Sequence, residues 1–105
     1  MTQKIAQILE TAANLIAADG AWLQNAAATM ADGTPVDPKH ERATCFCLVA
    51  ALEHAANRPL MHLDDILGPV CDVVGDRALA VWNDAPDRTQ AEVVAVLREA
   101  ARRAA

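Results

Sequence analysis

The stretch ATCFCLVAAL, residues 43–52, is apolar all the way round when wound at the helical period. Its inner part, Cys45 to Leu52, is the longest unbroken apolar run in the chain at eight residues. A helix with no polar face must be covered from several sides. The spacing therefore predicts a central buried rod wrapped by two-faced neighbours. Asp37 is placed to cap this helix and Pro38 to occupy its first position, so the expected span runs from there to about Ala56, where Asn57-Arg58-Pro59 ends it. A run of eight residues cannot cross a bilayer, which takes about 20.

The flanking segments supply the two-faced neighbours. Ile5, Ile8, Leu9, Ala12, Leu15 and Ile16 form one stripe opposite Gln3, Gln7, Glu10, Thr11 and Asn14. Thr2 can cap this first helix, and Asp19-Gly20 stops it. Ala21-Trp22-Leu23 turns back onto it and buries the indole. Asp32-Gly33 between short extended pieces predicts either a β-hairpin near residues 28–36 or a plain turn. Residues 60–75 read as one or two short helices that Gly68-Pro69 breaks or restarts, with Val70, Cys71, Val73 and Val74 facing the core. Asp76 to Trp82 reads as another short helix, with Leu79 and Trp82 on one face. Thr89 and Glu92 have the spacing of a capping box ahead of a last helix, whose Val93, Val94, Val96, Leu97, Ala100, Ala101 and Ala104 form one face. Asn83-Asp84-Ala85-Pro86-Asp87 is then a turn made of turn-favouring residues.

Alanine, the best helix former, supplies 24 of the 105 residues, while tyrosine is absent and Phe46 is the single phenylalanine. The fold expected is one all-α domain over residues 1–105, a compact bundle of four to six helices around the buried central one.

Charge narrows the functional classes. Asp64, Asp65, Asp72, Asp76, Asp84 and Asp87 stand against Arg77 alone, a local balance of −5 that equals that of the whole chain. Nucleic acid is disfavoured as a partner, because phosphate binding needs a basic patch. The one basic cluster, Arg98, Arg102 and Arg103, falls at the end of the last helix, where the macrodipole alone favours cations. The amino-terminal pattern of Lys4, Gln7, Glu10 and Asn14 is not that of a signal peptide, so a cytoplasmic location without membrane attachment is expected. The three cysteines are then expected as free structural thiols.

No catalytic, cofactor or metal constellation emerges. On a helix Cys45 and Cys47 would point about 200° apart, too far to share an ion. The apolar surroundings of these two, and the aspartates around Cys71, work against a reactive thiolate. His54 falls at the end of the buried helix as a core or helix-end histidine, and His40 and His62 are expected at the surface. Asp64-Asp65 and the pair Asp84 and Asp87 lack the apolar pocket that would separate an acid from a base. The turn also lacks the length, glycine and closing glutamate of a calcium loop, and no glycine-rich phosphate loop is present. Trp82 is a core anchor or, beside so charged a turn, a hot spot for a partner.

Trp82-Asn83-Asp84, followed by Arg88-Thr89, Glu92-Val93 and Leu97, resembles the C-terminal signature of a family of small bacterial and phage-encoded proteins known as a domain of unknown function. The amphipathic segment 5–16, Asp32-Gly33 and the cysteine-bearing stretch 43–52 are similar to that family as well. The resemblance implies a shared fold and no assigned activity.

The reading that follows is a non-catalytic interaction domain, with no cofactor, that presents an acidic face to a protein partner with a basic surface. Asp64, Asp65, Asp72, Asp76, Trp82, Asp84 and Asp87 are the candidate contact residues. An accessory or inhibitor protein of a phage or mobile element fits that description. The alternatives are a homodimer built on valines Val93, Val94 and Val96 left exposed by the last helix and, third, a small-molecule-binding enzyme.

Overall fold

The first helix, α1 (Thr2–Ala17), buries Leu9, Ala12, Ala13 and Ile16, and Ile5, Ile8 and Leu15 pack partly against the same core. A computed structural model describes residues 2–105, with side chains from Lys4 onward; the cap assigned to Thr2 lies outside the described side chains. Gly20 takes the left-handed conformation, φ 71°, that ends the helix. The chain then reverses, and the Trp22–Leu23 segment docks beside Phe46: Phe46 N–H donates to Ala21 O at 2.7 Å and Leu23 N–H to Phe46 O at 2.9 Å.

A two-stranded antiparallel sheet follows, β1 (Ala28–Thr29) against β2 (Cys45–Phe46), in the register Ala28 to Phe46 and Thr29 to Cys45. Asp32-Gly33 forms the tight turn expected of it. Met30 N–H donates to Thr34 O, Val36 N–H to Ala28 O, and Gly33 sits at φ 90°. A single bridge, Thr29 to Pro35, closes this hairpin, while the longer ladder partner of β1 is β2.

That pairing corrects the expected start of the central helix. Asp37 does not cap a helix: its Oδ1 accepts from Lys39 N–H and its carbonyl from His40 N–H, which gives a turn. Helix α2 begins ten residues later and spans Leu48–Ala56. A short apolar run fits a strand as readily as a helix. Here Thr44 N–H is taken by Thr29 O, Phe46 N–H by Ala21 O and Cys47 N–H by Ala27 O, so tertiary hydrogen bonds override the local preference. Cys47 becomes the N-cap, its sulfur accepting from Ala50 N–H at 3.4 Å, and Asn57 at φ 53° closes the helix.

A 3-10 turn at Leu60–His62 leads into α3 (Asp64–Val74), which buries Ile66 and Val70 and ends at Gly75, φ 80°. Gly68-Pro69 does not break it. Pro69 forfeits one bond, to the carbonyl of Asp65, and that residue is exposed to water. Helix α4 (Leu79–Asn83) is a short connector, and α5 (Gln90–Ala104) opens on the full capping box between Thr89 and Glu92.

Among the described residues the protein is a mostly helical globule with five α-helices and one small sheet. Its most extensive helix packing is between α1 and α5; α2 also packs on α1, and α3 on α5. The central rod is therefore shorter than expected. Leu48, Ala50, Ala51 and Leu52 of α2 are buried, but α1 and α5 share the role of spine. Val93 is fully buried, and Val94 and Val96 pack partly against the core, so the last helix does not hold these three valines out as a free face. No helix is long and apolar enough to cross a membrane among the described residues.

Candidate functional site

Turn residues are polar because they must satisfy backbone groups that no helix or sheet satisfies. The turn after α4 does this for three segments at once. Asn83 is completely buried. Its Oδ1 accepts from the Trp22 indole N–H at 2.8 Å and from Leu48 N–H, the first residue of α2, at 3.1 Å. Its Nδ2 donates to Leu23 O and to Asp84 Oδ1, both at 2.9 Å. All four hydrogen-bonding positions of the amide are used.

The neighbours extend this latch. Gln24 Nε2 donates to Asn83 O and to Ala85 O, and Asp84 Oδ1 also accepts from Asn25 N–H, with Asn25 in the left-handed region at φ 62°. On the far side, the Arg88 guanidinium lies 4.0 Å from the Trp82 ring centroid and its Nε donates to Trp82 O at 2.9 Å. Trp82 is half-buried against the core. The Trp-Asn-Asp stretch thus ties the loop 22–25, the start of α2 and the start of α5 together.

The aspartates fall into two groups. Asp84 and Asp87 belong to this turn, and Asp84 is already occupied by two N–H donors. Asp64 and Asp65 stand in the first turn of α3, where the helix dipole favours them, and Asp65 pairs with Arg58 at 3.5 Å. Asp72 is exposed on the same helix, and Asp76 Oδ1 accepts from Ala78 N–H on the way into α4.

Cysteines and histidines serve local structure. Cys45 and Cys47 do not share a helix, since Cys45 lies in β2. The two thiols still diverge: Cys45 Sγ donates to Gly20 O at 3.5 Å, while Cys47 Sγ caps α2. Burial pushes the Cys47 thiol pKa up. His54 packs on Phe46, ring centroids 4.9 Å apart, and its Nδ1 donates to Pro38 O at 2.7 Å. His40 and His62 are exposed. Among the described residues no three His, Cys, Asp or Glu side chains gather as a group able to hold a metal ion.

One surface feature escaped the sequence reading. The exposed large hydrophobic residues among those described are Leu60 (48%), Met61 (78%) and Val81 (72%), and all three line one groove of about 490 Å³ between the 3-10 turn, α3 and α4. Val49, Leu67 and Leu79 complete its apolar surface, and Asp64 and Arg77 stand in its lining. Neither Trp82 nor Asp84 nor Asp87 takes part in it. The available signal was Val81, which the helical period sets off the face shared by Leu79 and Trp82.

The model of a protein family of unknown function, DUF6197, matches residues 1–103. The chain belongs to the DUF6197 family. No curated protein matches it, and no solved structure does. In this DUF6197 chain, of the residues that carry the resemblance, Trp82-Asn83-Asp84, Arg88-Thr89 and Glu92 build the latch and the cap of α5, while Val93 and Leu97 are buried in the core. Their arrangement positions backbone, and the groove beside α3 is a separate surface that gathers the exposed Leu60, Met61 and Val81.

Proposed function

We propose that this protein is a non-catalytic interaction domain that acts in the cytoplasm and offers an acidic face to a basic protein partner, as an accessory or inhibitor protein of a phage or mobile element would. The observation that carries this reading is the groove: its exposed Leu60, Met61 and Val81 share a lining with Asp64, and Asp72 lines the adjoining hollow, so an apolar contact zone has two carboxylates against the single base Arg77. Apolar contact supplies affinity, and complementary charge sets encounter rate and partner choice. A two-fold copy of this face would bring together two linings of the same net negative sign, which disfavours self-association through it.

The test replaces Asp64 and Asp72 together by Asn, leaving Asp84 and its hydrogen bonds in place. Against a basic protein such as a histone fragment, binding by the parent chain is expected to weaken with salt, and the double variant is expected to lose it with an unchanged melting temperature. Binding that survives both the salt and the double substitution overturns the reading.

A further inference from the structure

The groove continues into a second hollow. The first, of about 490 Å³, is lined by Leu60, Met61, Leu67, Leu79 and Val81 among others; the second, of about 380 Å³, is lined by Asp64, Leu67, Gly68, Cys71, Asp72 and Arg77. Asp64, Leu67 and Arg77 belong to both, so the two are contiguous along α3. The first is mainly apolar, and the second adds the carboxylate of Asp72 to the shared Asp64 and Arg77. We propose that this bipartite groove is the docking site for a single amphipathic, basic α-helix of a protein partner, its apolar stripe over Leu60, Met61 and Val81 and its Lys or Arg side chains beside Asp64 and Asp72. This inference rests on the reading of the protein as an acidic interaction domain and names the shape of what it binds.

Three features select a helix. The walls are helical elements, the 3-10 turn, α3 and α4, and a helix laid alongside α3 contacts all of them. The small sheet lies elsewhere in the chain, so no strand edge is offered to an extended peptide in the groove. The charges also have a helical spacing. Asp64 and Asp72 are eight positions apart on α3, about 12 Å along its axis. A partner helix running beside α3 meets both with cations about two turns apart on the flank of an apolar stripe at i, i+3, i+4 and i+7. Met61, flexible and polarizable, suits a surface that must fit around a partner side chain. Asp65 is engaged by Arg58 and is the weaker contributor. Arg77 is the one base in the lining and forms no ion pair among the described residues, so it repels the bound cations.

The experiment uses three labelled peptides of about 18 residues, or five turns. One places Leu on one helical face and Lys on the other; the second has the same composition scrambled so that no face forms; the third carries Glu in place of Lys. Fluorescence anisotropy against the full chain is expected to show binding of the Leu-Lys helix alone. Met61→Ser with Val81→Ser, at exposed positions the fold does not need, is expected to weaken it about tenfold or more. Asp64→Asn with Asp72→Asn is expected to do the same, and Arg77→Ala to strengthen it about twofold. Equal binding of the scrambled basic peptide, sensitive to the aspartates and not to Met61 and Val81, overturns the helical site and leaves the acidic-face reading standing. Equal binding of the Leu-Glu peptide, or no binding of either basic peptide, overturns both. A dimer in light scattering that Met61→Ser with Val81→Ser converts to monomer makes a second copy the occupant and also overturns the proposal.

Discussion

The indole N–H of Trp22 and the side-chain oxygen of Asn83, 61 positions apart in the chain, meet at 2.8 Å. The same oxygen holds the first N–H of α2, so one buried amide joins the loop after α1, the start of α2 and the end of α4. Asn83→Ala leaves the Trp22 N–H, Leu48 N–H and Leu23 O without their partner. With about 1–3 kcal/mol for each buried group left unsatisfied, a loss of about 3 kcal/mol or more is expected in urea unfolding. Asn83→Asp keeps the acceptor but faces Leu23 O and Asp84 with oxygen instead of N–H, and is expected to be no better. Trp22→Phe removes one of these hydrogen bonds and part of the indole's packing but keeps the Asn83 bonds to Leu48 N–H and Leu23 O, and is expected to cost less than Asn83→Ala.

Arg88 acts on Trp82 by its shape as well as its charge. It stacks over the ring and donates Nε to the Trp82 carbonyl, while a second nitrogen pairs with Glu92 at 3.2 Å. Lysine cannot make the stack and the Nε bond together. Arg88→Lys is therefore expected to lose about 1 kcal/mol or more, with a change in tryptophan fluorescence that Arg98→Lys, far from both indoles in sequence and paired with Glu10, does not produce.

The capping box gives a local test. Thr89 Oγ1 accepts from Glu92 N–H, and Glu92 Oε1 accepts from Thr89 N–H at 3.0 Å. Thr89→Ala is expected to lower stability by about 1 kcal/mol, while Thr89→Ser, which keeps the oxygen, is expected to stay close to the parent. Urea midpoints of the two variants separate the cap from any effect of side-chain size.

Acid titration reads the end of α5. Hydrogen bonds from Arg102 and Arg103 hold the Glu99 carboxyl below its ordinary 4.5, at about 2. A carboxyl with a lowered folded-state pKa contributes stability that is complete above the unfolded value and is lost as pH falls through the folded one. The difference between the parent and Glu99→Gln is expected to be present at neutral pH, to shrink from about pH 4.5 downward and to vanish near pH 2. Because the cluster is exposed, molar salt is expected to shrink it as well.

Cys47 caps α2 through sulfur, a weak acceptor. Cys47→Ser is expected to hold the cap at least as well. Burial keeps the Cys47 thiol protonated at neutral pH, so its alkylation by iodoacetamide is expected to be slow in the folded chain and fast in urea, with mass spectrometry as the readout.

What the sequence disclosed depended on how far apart the deciding partners lie. The box at Thr89 and Glu92 and the stripe from Ile5 to Ile16 are set by neighbours within a turn or two, and both were legible. Phe46 was not, because its strand conformation is imposed by Ala21 and Ala28, which the helical period of residues 43–52 does not register. Asn83 was read as a turn residue and nothing more. Its role depends on Trp22 and Leu48, and pairing over such distances leaves no trace in local spacing. Gly68-Pro69 predicts a break or a restart from sequence alone, because the exposure of Asp65, which makes the lost bond tolerable, is a fact of the folded surface. The groove was missed for a similar reason. Leu60, Met61 and Val81 look like ordinary core residues until the elements around them are placed and nothing covers them.

The pairing of α1 with α5 bears on how the chain comes into being. Leu9, Ala12 and Ile16 need the face of Leu97 and Ala101 to be dry, and some eighty residues must be translated between the two. Until α5 leaves the ribosome, α2 is the one of these two helix partners that can cover the apolar side of α1. A contact of such long span also makes closing this spine the slow step of refolding, slower than the formation of any helix within it.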